Sequence, residues 1–241
     1  MSEKLWYLKN CHLFEQLADG DLRDIEARSK ARTFARGTPI YLPLDDTNAV
    51  FLLASGRVKI CHLTPDGKQS ILAFIEPGEL FGELAMLETG GVRNEYAESV
   101  EKSTIVLIPG EIMQKTMESN AGLTLGVTKM IGMRRRRIEQ RLKNLLFLSN
   151  RERLTHLLLE LAEQYGVRES AGLRLRIQLS HQDLANVIGS TRETVTVVLG
   201  EMQQEGLLSI GRRRIVILDL GRLAGSVQRS APSIPVRPLG R

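Results

Sequence analysis

The chain changes texture at Pro109, and no single architecture accounts for both sides of that residue. Between Thr33 and about Ile108 it is a succession of short alternating or apolar runs: Val50–Ala54, Val58–Leu63, Ser70–Ile75 and Thr104–Ile108. Turn chemistry separates the runs, in Arg36-Gly37-Thr38-Pro39, Ser55-Gly56, Pro65-Asp66-Gly67, Glu76-Pro77-Gly78 and Thr89-Gly90-Gly91. Many short strands at near-regular spacing predict a small β-roll or barrel rather than a parallel sheet. Residues 111–148 then hold no proline and are rich in Met, Leu, Arg, Lys, Glu and Gln, which predicts one long helix.

That helix carries its own pattern. Ile131, Ile138 and Leu145 recur every seven residues with Leu142 between the last two, a coiled-coil-like seam suited to parallel self-association. The alternative is a seam packed on the chain's own β-domain. Gly122 and Gly126 form a GxxxG, too polar in context for a membrane motif. Ahead of the strands, Leu13, Phe14, Leu17, Leu22 and Ile25 mark short amphipathic helices. After a hinge at Ser149-Asn150, Arg151–Tyr165 reads as an amphipathic helix with Leu154, Leu157, Leu158 and Leu161 on one face, stopped by Gly166. Leu173–Leu179 alternates like a short strand, and the proline-rich end from Ser230 reads as an unstructured tail.

Charge divides along the same lines. Residues 1–110 carry 12 Lys/Arg against 16 Asp/Glu, residues 111–149 carry 8 against 3, and residues 150–241 carry 13 against 9. An acidic first half and a basic second half suggest that only the second half meets a polyanion. No apolar run approaches the roughly 20 residues of a membrane span, and Met1-Ser2-Glu3-Lys4 does not open a secretory signal. Two cysteines, Cys11 and Cys61, are too few for a disulfide framework. A cytoplasmic protein with no membrane partner is the expectation.

Residues 179–217 carry the sharpest signal. Ser180 caps a helix through Gln182–Ile188, Gly189 turns the chain, and Thr191 caps a second helix over Arg192–Gln204 buried through Val195, Val198, Leu199 and Met202. Helix, glycine turn and helix at this spacing is a helix-turn-helix, whose second helix puts Thr191, Arg192, Glu193 and Thr196 at base edges. Arginine can pair with guanine O6 and N7, and glutamate can accept from cytosine N4. Leu207–Ile210 and Ile215–Leu218 read as a two-stranded wing whose turn, Gly211-Arg212-Arg213-Arg214, can grip phosphates. A neutralising Arg192–Glu193 pair and purely solubilising wing arginines are the plainer readings.

With Ser190-Thr191-Arg192-Glu193-Thr194-Val195-Thr196 and its basic wing, the chain resembles the cyclic-AMP receptor protein/fumarate-nitrate reductase regulator (CRP/FNR) superfamily. Gly78-Glu79-Leu80-Phe81-Gly82-Glu83-Leu84-Ala85 resembles that superfamily's phosphate-binding cassette, and the likeness covers roughly residues 10–220. It implies an α+β chain of four parts. These are a double-stranded β-helix, or cyclic-nucleotide-binding-like β-roll, over 1–110; a long dimerisation helix over 111–148; a winged helix-turn-helix over 149–221; and a tail over 222–241. It further implies a transcription regulator, not an enzyme, acting as a homodimer on a palindromic double-stranded DNA operator, with RNA polymerase as a partner. Arg192 and Glu193 would read bases, and Ser180, Gln182, Thr191 and Thr194 would join Arg212, Arg213 and Arg214 at the DNA. Where the family commonly has a second arginine, five positions after the first, this chain has Val197, which changes the expected half-site there.

The likeness also implies an effector, cyclic AMP or cyclic GMP, held at Gly82, Glu83, Leu84 and Ala85 and at Arg93-Asn94. Glu83 would take ribose hydroxyls and Arg93 the phosphate. Asn94 and the Ile138-Glu139 pair depart from the cyclic-AMP receptors at the base end. Arg134 with Glu139 resembles instead the 2-oxoglutarate-responsive nitrogen regulators. A cassette that survives as scaffold, with Glu83 and Arg93 paired together, needs no small ligand. Four consecutive arginines, 134–137, cover every face of a helix. At least one must therefore point inward and find an anion, either a ligand or a carboxylate such as Glu139. No certain cofactor and no metal are expected: of the iron–sulfur cluster and the haem that other members of the superfamily use, a four-cysteine cluster is impossible with two cysteines, while haem stays a minor alternative, disfavoured because the adjacent Cys61 and His62 face opposite sides of a strand. His12, His156 and His181 read as ordinary surface or helix residues. No GxSxG, Walker A or HExxH occurs, and Glu83 lacks a paired carboxylate for acid–base work. A cyclic-nucleotide-binding module serving another assembly is the remaining alternative.

Overall fold

The computed structural model describes residues 2–45, 48–84 and 93–234. They form two compact units, residues 1–138 and 139–241.

The first unit opens with α1 (Glu3–Lys9), a 3-10 turn (His12–Phe14) and α2 (Asp19–Arg28). Eight strands follow: β1 (Lys30–Phe34), β2 (Pro39–Tyr41), β3 (Ala49–Ser55), β4 (Val58–Leu63), β5 (Gln69–Ile75), β6 (Leu80–Phe81), β7 (Tyr96–Ser99) and β8 (Ser103–Pro109). They make two antiparallel sheets, ordered β1-β8-β3-β6 and β2-β7-β4-β5. Tyr41, Phe51, Leu53, Val58, Ile75, Phe81 and Ile105, drawn from both sheets, form one core. Successive strand residues point to opposite faces, so Val50 and Leu52 of the same β3 join a second core. There they meet Phe14, Leu17, Leu22 and Ile25 from the N-terminal helices. A strand buried on both faces explains why Val50–Ala54 is a continuous apolar run.

The long helix expected over 111–148 is two: α3 (Gly110–Ser119) and α4 (Ala121–Phe147). Asn120 breaks it with an extended backbone (φ −132°, ψ 97°). Its side-chain oxygen accepts from the Leu123 N–H at 2.8 Å, so it serves as the cap of α4. The GxxxG is a local packing feature: a Cβ on Gly126 would stand 2.8 Å from Leu13, and one on Gly122 2.5 Å from Gln16.

The second unit holds the end of α4, then α5 (Asn150–Tyr165), the hairpin β9 (Gly166–Glu169) and β10 (Gly172–Leu175), α6 (His181–Ile188) and α7 (Arg192–Gln204). The hairpin β11 (Leu208–Gly211) and β12 (Arg214–Ile217) and the helix α8 (Leu220–Gly225) complete it. The expected two-stranded wing is half of a four-stranded sheet, β11-β12-β10-β9. The tail expected from residue 222 begins instead as helix, because Asp219 caps α8 and Leu223 and Ala224 are fully buried. Residues 235–241 lie outside the described ones. Among the described residues no helix is long and apolar enough to cross a membrane.

Candidate nucleic-acid interface and effector pocket

Local capping sets the angle between α6 and α7. Ser180 and Asp183 form a capping box: the Asp183 N–H donates to Ser180 Oγ at 3.1 Å, and the Ser180 N–H to Asp183 Oδ2 at 2.9 Å. Gly189 ends α6 in the left-handed region, φ 64°, where a side chain would be strained. Arg153 of α5 pins this turn, donating to the Ile188 carbonyl at 2.8 Å and to Asn150 Oδ1 at 2.6 Å. Thr191 then caps α7 by accepting from the Thr194 N–H at 3.2 Å.

The expected faces of α7 are observed. Val195, Val198, Leu199 and Met202 are buried, while Arg192, Glu193, Thr196 and Val197 are exposed. Thr194 is half-buried, its hydroxyl 3.0 Å from that of Thr191. A cleft of about 370 Å³ gathers Ser180, His181, Gln182 and Arg192 with the wing arginines 212–214. That density of guanidinium groups suits phosphate oxygens. Arg212 and Arg213 form the two-residue wing turn, Arg213 at φ 56°. Arg214 is directed elsewhere: it donates to Glu169 Oε2 at 2.9 Å, and Arg174 also donates to that carboxylate. Those two arginines, Arg174 foremost, hold the Glu169 carboxyl below the usual range. His181 was missed by sequence reasoning. Its Nδ1 lies 2.8 Å from Thr196 Oγ1, joining α6 to the outer face of α7. Its place directly after the capping Ser180 was the available signal.

The cassette positions are mostly interior. Arg93 is 3% exposed. It donates to the carbonyls of Gly82 at 3.1 Å and Ala49 at 2.6 Å, and its guanidinium lies 4.3 Å from the centre of the Tyr41 ring. Gly82 sits at φ 71°, and a Cβ there would come within 2.7 Å of Arg93 Nη1, so the cassette needs glycine. Tyr41 donates to Glu95 Oε1 at 2.9 Å. Burial pushes the Glu95 carboxyl above its ordinary range, and the nearby Glu83 charge adds to that.

Glu83 is 5% exposed, and Arg134 of α4 holds both of its oxygens, at 3.1 and 3.3 Å. Arg134 also donates to the Leu80 carbonyl. It is the inward member of its run, and Arg135, Arg136 and Arg137 are exposed. Of the anions left open for it, a ligand or a carboxylate such as Glu139, it meets the carboxylate of Glu83, while Glu139 is exposed. Leu84 and Asn94 face outward, and Ala85 lies outside the described residues. Cys61 is buried and His62 exposed, as strand alternation requires. Burial pushes the thiols of Cys11 and Cys61 up to about 11, which opposes thiolate ligation.

A β-roll with a buried Arg–Glu pair and a winged helix-turn-helix with an arginine-lined cleft together define the class: a DNA-binding protein that carries a β-roll domain. Residues 31–120 match the cyclic nucleotide-binding domain family, and residues 152–225 the Crp-like helix-turn-helix domain family. The CRP-like cAMP-activated global transcriptional regulator of Mycobacterium tuberculosis is 26% identical over 191 residues, 79% of this chain and 85% of the relative. The global nitrogen regulator of Synechococcus elongatus is 29% identical over 209 residues, 86% of this chain and 91% of the relative. The fold matches that of the c-di-GMP responsive global regulator CLP of Xanthomonas campestris, with a TM-score of 0.74 at 22% identity, covering 84% of this chain and 100% of that one. The chain belongs to the CRP/FNR superfamily: it is a DNA-binding transcription regulator, not an enzyme.

Proposed function

We propose that this regulator acts in the cytoplasm as a homodimer on a palindromic operator, α7 of each subunit lying in the major groove. RNA polymerase is its partner at the promoter. The observation that carries this reading is the outer surface of α7 beside the arginine-lined cleft. Arg192 and Glu193 meet base edges, while Ser180, Gln182, Thr191, Arg212 and Arg213 meet the backbone. A bidentate arginine–guanine pair is worth ~1–3 kcal/mol of discrimination. In selection from randomised operators, Arg192→Ala therefore relaxes preference at one base pair per half-site. If base preference is unchanged, α7 is not the reading helix.

The β-roll responds to an anionic metabolite, with a cyclic nucleotide the first choice at Arg93 and Glu83. Its ribose hydroxyls must displace Arg134 from Glu83. That pairing favours a second reading, in which a dicarboxylate such as 2-oxoglutarate binds between Arg93 and Arg134, or the internal pair stands in for any ligand. Calorimetry with cyclic AMP, cyclic GMP and 2-oxoglutarate separates the three, since only the true effector gives heat that Arg93→Ala abolishes. Binding that survives Arg93→Ala removes the site, and silence from all three probes leaves the ligand-free reading.

A further inference from the structure

The outward face of α7 carries two residues that folding does not explain. Val197 is 60% exposed, and a β-branched side chain in the open neither packs nor favours a helix. One turn on, Gly200 lies inside the helix with open space where a Cβ would stand, although glycine is among the worst helix formers. At about 100° per residue, Glu193, Thr196, Val197 and Gly200 share one arc roughly 100° wide, opposite the buried side. The Thr196 hydroxyl donates to the Arg192 carbonyl at 2.8 Å and lies 2.8 Å from His181 Nδ1. Its γ-methyl is the end left for a partner. The face is therefore small and methyl-bearing, with Glu193 its one charge.

In the major groove, the apolar feature that a base pair presents is the C5 methyl of thymine. We propose that Val197, with the γ-methyl of Thr196, reads a thymine methyl in each operator half-site, and that Gly200 keeps the helix surface low enough for van der Waals contact. This rests on α7 being the groove-reading helix. It assigns Val197 a specificity role for a 5-methylpyrimidine.

The test uses the full-length protein and the tightest duplex selected from a randomised pool. Each half-site thymine is replaced singly by deoxyuridine, which removes the methyl and keeps base pairing. One buried methyl corresponds to about fourfold in affinity, so one position per half-site is expected to show about that loss. Val197→Ala should lose most of the difference between the thymine and deoxyuridine duplexes, with the γ-methyl of Thr196 accounting for what is left, while keeping its preference at the Arg192 base pair. A half-site without thymine, no loss at any replaced position, or a loss that persists undiminished in Val197→Ala overturns the proposal. Arg192→Ala run in parallel separates the two failures. If it relaxes its own base pair while deoxyuridine has no effect, α7 reads the groove and only the methyl contact is wrong. If neither changes base preference, the groove-reading assignment falls and takes the methyl contact with it.

Discussion

Arg134 shows how one side chain can hold a buried site in register. Its guanidinium spans both oxygens of Glu83, with side-chain exposures of 15% and 6% for the two residues. Removing one partner of a buried pair leaves an uncompensated charge, at a cost of about 3–5 kcal/mol. Arg134→Ala is therefore expected to lower the stability of the N-terminal unit by that amount in urea unfolding. Glu83→Gln in the same background should restore part of it, because a neutral amide costs less to bury. Equal stability of Arg134→Ala and wild type would show that the pair carries no weight. Helix geometry alone establishes that one arginine of the run points inward. Which carboxylate it meets depends on long-range packing that brings residue 83 to residue 134, and no local pattern encodes that contact. The roles of Arg214 and His181 were hidden for the same reason, since Glu169 and Thr196 reach them across turns.

At the scale of elements, patterns with a strong period were legible and short ones were not. The strands β3, β4, β5 and β8 stand where alternating or apolar runs predict them. Strands β1, β2, β6 and β7 were missed: β1 is almost wholly exposed, and β2 and β6 are only three and two residues long. Asn120 went unread because a helix can be broken by a cap as well as by proline. The seam on α4 divides in two. Ile131 packs against the unit's own core, while Ile138, Leu142 and Leu145 stay exposed. Leu142, 54% exposed, has little packing within the chain to lose. Leu142→Asp is therefore expected to yield monomers in sedimentation with the fold intact by circular dichroism. A variant that remains dimeric would move the interface off this seam.

For the whole molecule, the division of charge matters as much as its total. The acidic first half repels DNA and the basic second half attracts it, which favours a single docking face. A symmetric dimer with one α7 per half-site requires half-site centres about 34–36 Å apart. Inserting five base pairs at the operator centre should then abolish tight binding in a mobility-shift assay, and ten should restore it in part. Binding indifferent to both insertions would argue for monomers acting separately. The two faces of α7 have a further consequence. The apolar side chains that pack the helix into its unit and the residues Glu193 and Val197 turned toward solvent lie on opposite sides of the helix, with Thr196, whose hydroxyl lies beside His181, the outer residue that also touches α6. Mutation can therefore rewrite which genes answer to this protein while leaving its folding free energy nearly untouched. A lineage of such regulators can drift to new addresses one outer residue at a time, without passing through an unfolded ancestor.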